Sequence, residues 1–146
     1  MATPYSSINE LFLAGVQDYK LDLLYQSATP TSLDIYLIPF LRRGLINFKS
    51  CSKDLANRND TTRTFNITLT DEEQVILSNL MIIEWLTKEV NDVRQMSLHI
   101  QNPSEFKTYA EANNLKEKTA HRNSLREEVD KQITQYTYNN LDWDTL

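Results

Sequence analysis

The sequence predicts an all-α fold, a small helical bundle closed by a long C-terminal helix and followed by an extended tail. Three observations carry that prediction. Gly15 and Gly44 are the only glycines among 146 residues, too few for the many tight turns and bulges of a β-sandwich or barrel. Apolar residues recur at helical spacing in separate stretches along the chain, as buried stripes require. Turn-forming residues gather between those stretches, around Pro30 and at Asn102–Pro103. Apolar residues make up 40% and charged residues 24%, a globular balance. A chain of this length fits one domain able to bury roughly 70% of its unfolded surface.

Met1 to Tyr5 reads as a short polar arm. Ser7 with Glu10 three residues on forms a capping box, and Ile8, Leu11, Phe12 and Val16 supply the buried stripe of the helix it opens. A brief apolar cluster, Leu21, Leu23, Leu24 and Tyr25, ends in a loop from Gln26 to Ser32. Leu33, Tyr36, Leu37, Phe40, Leu41, Leu45 and Phe48 then repeat at helical spacing and predict a core helix over 33–48. Pro39 sits inside it, removing one hydrogen bond and crowding the carbonyl four residues back, so a kink or a break into two pieces near Ile35 is expected. The stretch 50–66 has few apolar residues and no sustained period. Phe65, Ile67 and Leu69 alternate with polar neighbours and predict one short β segment near 65–69.

Thr70 followed by Asp71, Glu72 and Glu73 is the clearest helix start in the chain, combining an N-cap, acidic residues at the positive end of the dipole and a capping-box glutamate. The helix runs from 71 to about 90. Its apolar residues, Val75 to Leu77, Leu80 to Ile83, Trp85 and Leu86, cover more than one face and predict a central element packed on several sides. Val93, Met96, Leu98 and Ile100 continue a weaker pattern up to Asn102 and Pro103. A long helix from Ser104 or Ala110 to Tyr138 follows, its stripe of Leu115, Leu125, Val129, Ile133 and Tyr136 narrow and its other faces charged. Residues 1–138 thus form the helical domain. The segment 139–146, NNLDWDTL, is an acidic docking tail whose Leu141, Trp143 and Leu146 have no core of their own, so burial in a partner is the economical reading.

The chemistry-bearing residues form no catalytic pattern, and the chain reads as a non-enzyme without cofactor or metal. His99 and His121 lie far apart with no ligand at metal spacing. Cys51 is the one cysteine and excludes an internal disulfide, pointing to a reducing cytoplasm. Two glycines cannot build a phosphate-cradling loop. The acidic run 71–73 is accounted for by capping, and Glu127, Glu128 and Asp130 alternate with Arg126 and Lys131 as a solvated helix face does. A net charge of -5 and a pI near 5.0 remove long-range attraction to nucleic acid or anionic lipid. The most apolar run, 75–86, is too short to span a bilayer. Arg42, Arg43 and Lys49, with Lys53, Arg58 and Arg63 after them, are the densest basic cluster. Subunit ion pairing is its commoner reading and a DNA-backbone contact through Arg42, Arg43, Arg58 and Arg63 the other.

The stretches ATPYSSI, YLIPFLRRGLINFKSCSKDL, LTDEEQVILSNLMIIEWLTKEV and FKTYAEANNLKEKTAHRNSLREEVDKQITQYTYNNLD together resemble the head-tail adaptor, or head-completion, proteins of siphophages. The order of elements carries the resemblance: a core helix, a loop, an apolar central helix, an F-x-x-Y/F segment (Phe106 to Tyr109), and a long charged helix ending in a Y-x-Y element (Tyr136 to Tyr138). Pro39 departs from the pattern. The resemblance implies a ring of twelve copies under the portal protein, in the neck of the virion, leading on to a stopper or tail-terminator protein and letting double-stranded DNA pass. It makes Tyr138, Leu141, Trp143 and Leu146 portal contacts and the long helix the ring-building element. The alternatives are a tail-completion or stopper protein of the same neck, or a small DNA-binding regulatory protein.

Overall fold

The computed structural model describes residues 2–16, 30–99 and 105–141, with side-chain surroundings over 2–16, 34–91 and 116–141. Those residues form helices α1 (Tyr5–Gly15), α2 (Pro30–Asn47), α3 (Asp71–His99) and α4 (Glu105–Asn139), and three two-residue strands, β1 (Thr3–Pro4), β2 (Arg58–Asn59) and β3 (Thr64–Phe65). The fold is mostly helical and ends in a long helix, as the composition predicts. The apolar cluster at Leu21 to Tyr25, the first part of the loop after it, and Trp143 and Leu146 of the tail lie outside the described residues.

Helix α3 is the hub. Ile76, Leu77, Leu80, Met81, Ile82, Ile83, Trp85, Leu86 and Val90 are all buried along it, and it packs against α1, α2 and α4. Its start is the capping box written in the sequence: the Thr70 N–H donates to Glu73 Oε1 at 2.8 Å and the Glu73 N–H to Thr70 Oγ1 at 3.2 Å. It does not stop near 90. Lys88, Glu89 and Asn91 carry the helix on to His99, because nothing in that stretch breaks the hydrogen-bond ladder. Helix α4 returns antiparallel along α3, with Lys118 on Glu89 (3.1 Å), Gln132 on Asn79 (3.0 Å) and Tyr136 on Glu73 (2.7 Å). Among its described side chains, 116–139, Leu125, Val129 and Tyr136 are buried and Ile133 packs against the core, following the narrow stripe predicted for it, of which Leu115 lies outside the described side chains. Helical hydrogen bonding passes the boundary predicted at Tyr138, since the Asn140 N–H reaches the Tyr136 carbonyl at 3.1 Å.

Helix α1 begins at Tyr5 rather than at Ser7, and no side chain caps it. The sheet does that work. The Tyr5 N–H donates to the Arg63 carbonyl at 2.9 Å, and the Leu69 N–H donates to Thr3 Oγ1 at 2.9 Å. Ser7 therefore lies inside the first turn. Helix α2 begins at Pro30, so the end of the predicted loop is already helical, a place where the ring's fixed φ and missing N–H are tolerated. It continues unbroken through Pro39, correcting the expected two pieces. Pro39 and Ile35 are on the exposed side, Ile35 at 56%, where water can take the carbonyl that Pro39 leaves without a donor.

The irregular stretch 50–66 holds a small hairpin instead. Strand order is β1-β3-β2, both pairings antiparallel, with Phe65 opposite Thr3 on one side and Arg58 on the other. The strand is shorter than the 65–69 segment predicted, and it pairs on both edges. Its turn is shaped by Asn59, whose side-chain oxygen accepts the N–H groups of Thr61 (2.9 Å) and Thr62 (3.1 Å). Arg63 takes the left-handed region at φ 54°. Phe65 is fully buried against Tyr5, ring centroids 5.0 Å apart.

Both glycines mark helix crossings on α3. A Cβ on Gly15 would meet Ile82 Cδ1 at 2.7 Å, whereas one on Gly44 would meet Leu80 Cβ at 3.4 Å and Met81 no closer than 3.6 Å. The second is ordinary van der Waals contact. Gly44→Ala should therefore stabilise the chain by about 0.5–1 kcal/mol through helix propensity, measured by urea titration. Destabilisation would show that α2 has no room for the methyl group.

Candidate functional site

The densest chemistry in the structure is a polar cluster that joins three parts of the chain. Capping leaves Glu73 Oε2 free on the inner side of α3, and the antiparallel register brings Tyr136 of α4 over it. The Tyr136 hydroxyl donates to Glu73 Oε2 at 2.7 Å and accepts the Ser52 N–H at 2.9 Å, with Ser52 Oγ also at 2.9 Å. The Cys51 thiol donates to the same carboxylate oxygen at 3.4 Å. Phe48 closes the apolar side, its ring 5.2 Å from that of Tyr136 and nearly perpendicular to it.

The titration of these groups follows from their partners. Burial pushes Glu73 up, but the Thr70 N–H, the Tyr136 and Thr70 hydroxyls and the Cys51 thiol together outweigh it and hold the carboxyl below its ordinary range. Burial pushes the Cys51 thiol up, and the neighbouring Glu73 charge adds to that. Tyr136 is pushed up to about 12, first by burial, with the carboxylate it donates to acting the same way. At neutral pH the carboxylate is therefore an acceptor fed by neutral donors. This arrangement clamps α4 and the 48–52 segment onto the start of α3. Among the described residues, no group of three or more His, Cys, Asp and Glu side chains is placed to hold a metal ion.

The outer surfaces carry the residues singled out in the sequence. Tyr138 and Leu141, at the end of α4, are 58% and 40% exposed. Two of the basic residues have partners within the chain. Arg43 reaches Glu84 on α3 at 3.7 Å, while Arg58 is drawn into the hairpin by the Leu55 carbonyl (3.0 Å) and Asp60 (3.4 Å). Asp60 also accepts the Tyr5 hydroxyl at 2.6 Å. Arg63 contributes its backbone carbonyl, and Arg42 lies exposed on α2. His121 is exposed on α4, as are most of the charged side chains described over 116–139.

A groove between α2 and α3, about 620 Å³ in volume, is lined by Ile35, Tyr36, Pro39, Phe40 and Arg43 on one wall and by Glu84, Thr87, Lys88 and Asn91 on the other. Ile35, Pro39, Arg42 and Ile46 continue the exposed face of α2 at positions four, three and four apart, one side of a helix. Sequence reasoning missed this face. The signal was there, because Ile35 and Ile46, like Ile38, are large apolar residues of the helix that fall off its core stripe. The Glu73–Tyr136–Ser52 clamp was missed for another reason: each member has an ordinary local explanation, and only the register of α4 on α3 unites them.

No family model, no curated protein and no solved structure matches this chain. The surfaces themselves therefore carry the functional reading.

Proposed function

We propose that the chain is a structural subunit of a tailed-phage neck, an adaptor that forms a ring beneath the portal and links the DNA-filled head to the tail. The observation that carries the reading is α4. It is a 35-residue helix that over its described side chains, 116–139, buries Leu125, Val129 and Tyr136 and leaves most of the others at the surface, where other subunits can meet them, and it is followed by exposed Leu141 and by Trp143 and Leu146. A helix of that length spans about 50 Å. The sequence resemblance supplies the partners: the portal protein above, a stopper or tail-terminator protein below, and further copies at the sides. The exposed mixture of acidic and basic residues along α4 suits lateral ion pairing, and the overall acidic balance suits passage of double-stranded DNA without capture. The place of action is the virion neck, after assembly in the host cytoplasm.

Deleting 139–146 should weaken joining to the portal at least tenfold while leaving the melting temperature of the domain unchanged, as measured by co-sedimentation with portal rings and by thermal scan. Undiminished joining would remove the tail from the interface. Two other readings are less well supported. The mostly helical fold weighs against a stopper, which by family analogy carries more β-structure. Engagement of Arg43 and Arg58 within the chain weighs against a DNA-binding regulator, and salt-dependent duplex binding by the monomer would reverse that judgement.

A further inference from the structure

We propose that the exposed stripe of α2 docks into the groove between α3 and α4 of a second copy of this chain, so that copies associate through two different surfaces. The inference deepens the ring-subunit reading and rests on it in taking another copy as the occupant.

The stripe is both apolar and cationic. Ile35 and Ile46, 56% and 67% exposed, stand at its ends, about 16 Å apart along the helix, and Pro39 and Arg42 lie between them on the same face. Single exposed apolar residues are ordinary, whereas two on one helix face around a cation mark a contact surface. Lys49 follows just beyond the helix end. Residues 35–53 contain no Asp or Glu, although the whole chain has a net charge of -5. Arg42 and Lys49 are exposed and form no ion pair among the described residues. Arg43 is not counted with them, because Glu84 meets its charge at 3.7 Å.

The groove has the complementary make-up. About 340 Å³ in volume, it lies over the first turns of α3, with Asp71, Glu72, Val75 and Ile76 on one side and Gln132 and Gln135 of α4 on the other. The hydrogen bond from Asn79 to Gln132, 3.0 Å, fixes the register of the two walls. Asp71 and Glu72 are exposed and form no ion pair among the described residues. Lys53 borders the same two carboxylates from the loop after α2 and offsets one of them. Glu128 and Lys131, one turn before Gln132 and Gln135 along α4, offset each other. One negative charge is left for an incoming cation. The pitch matches as well. Ile46 set against Val75 and Ile76 places Arg42, one turn away on α2, level with Asp71 and Glu72, one turn away on α3.

Geometry makes the contact one between copies. Leu37, Leu41, Leu45 and Phe48 of the α2 segment are buried, and Gly44 lies against Leu80 and Met81 of α3, so the stripe on the other side of α2 turns away from α3. Leu80 lies under α2 and Asn79 meets α4. Successive residues stand about 100° apart around a helix axis, so α2 and α4 lie on different sides of the hub. A face turned away from α3 cannot enter a groove that α3 itself forms in the same chain. A contact between two different surfaces of identical copies is heterologous, and it closes into a ring when its rotation allows.

The test is self-association of the purified full-length chain, followed by sedimentation velocity as concentration rises. Concentration-dependent association is expected, weakened roughly tenfold or more by Arg42→Glu combined with Ile46→Asp, and as much by Asp71→Asn combined with Glu72→Arg. Each double variant keeps one of the two surfaces intact. Mixed at a concentration where neither associates alone, the two should form one-to-one dimers and nothing larger. Thermal scans should show both folded, because all four side chains are exposed and the capping box of Thr70 and Glu73 is retained. A chain that stays monomeric to about 100 µM, association indifferent to either variant, or a mixture that does not pair overturns the assignment. So does undiminished self-association in an Arg42→Glu, Ile46→Asp chain that loses portal joining or duplex binding, which gives the stripe to the portal or to nucleic acid. Portal joining by the wild-type chain keeps the two readings apart. If it fails while the two variants still pair, the neck reading falls and the contact stands; if it succeeds while the chain stays monomeric, the contact falls alone.

Discussion

Trp85→Ala should destabilise the chain by about 3–5 kcal/mol, the cost of emptying a large aromatic site in a packed core. For a domain of this size that is a fall of roughly 10–15 °C in melting temperature. Trp85 is 4% exposed and stands where α1 and α4 both meet α3. Phe12 of α1 packs edge-on against its indole at 6.3 Å, and Lys118 of α4 lies 5.9 Å above the ring while pairing with Glu89. Removing the ring leaves a cavity that α1 and α4 border from different sides, so neither can collapse into it without losing its own contacts. Trp85→Phe separates packing from polarity. The indole N–H has no hydrogen-bond partner among the described residues, so phenylalanine removes an unsatisfied donor while keeping most of the apolar volume, and should cost less than half as much as alanine. An alanine variant that melts within 3 °C of the wild type, roughly 1 kcal/mol, would show that Trp85 does not hold the bundle together.

Tyr136→Phe should cost about 2–3 kcal/mol, read as a shift in the urea midpoint at constant slope. Phenylalanine keeps the contact with Phe48 but removes the hydroxyl, leaving the buried Glu73 carboxylate one donor short and the Ser52 N–H without the acceptor it uses. The same substitution should change the response to acid. A carboxyl held below its ordinary value of 4.5 in the folded chain stabilises the fold above that value, and the contribution disappears as pH falls through the folded-state pKa. Wild type should therefore lose stability below about pH 4.5 more steeply than Tyr136→Phe, in which burial is opposed by fewer hydrogen bonds. At the alkaline end the sign reverses. Tyr136 rises from 10.0 to about 12, so its contribution is complete below pH 10 and is lost between there and 12, a limb that Tyr136→Phe abolishes. Parallel stability curves for the two proteins from pH 3 to pH 11 would contradict the clamp.

Much of the fold was legible because α-helices announce themselves locally. The stripe from Leu33 to Phe48, the capping box at Thr70 and Glu73 and the narrow face of Leu125, Val129 and Tyr136 each depend on spacings of three and four residues. What was not legible depends on partners far away in sequence. Ser7 has the pattern of an N-cap, yet Thr3 and Tyr5 pair with a segment some sixty residues on, and those hydrogen bonds move the helix start. Arg58 and Arg63 look like surface charges until the hairpin uses one guanidinium and one carbonyl internally. Pro39 predicts a break if the helix is considered alone, and the break is avoided because that turn faces water. The docking residues were only partly legible. Exposure of Tyr138 and Leu141 accords with a helix whose stripe ends at Tyr136, whereas the groove between α3 and α4 exists only once α4 lies along α3.

The two oxygens of Glu73 serve different masters, Oε1 the first turn of α3 and Oε2 the hydroxyl that fastens α4. Fraying of that turn swings the carboxylate away from Tyr136, and lifting α4 frees the carboxylate that holds the turn. The two events are therefore one opening. Amide protons at the start of α3 and those around Tyr136 should then belong to a single cooperative unit and exchange with solvent at a common free energy, even though some sixty residues separate them along the chain. A partner that grips the end of α4 would be felt, through one side chain, at the beginning of the central helix.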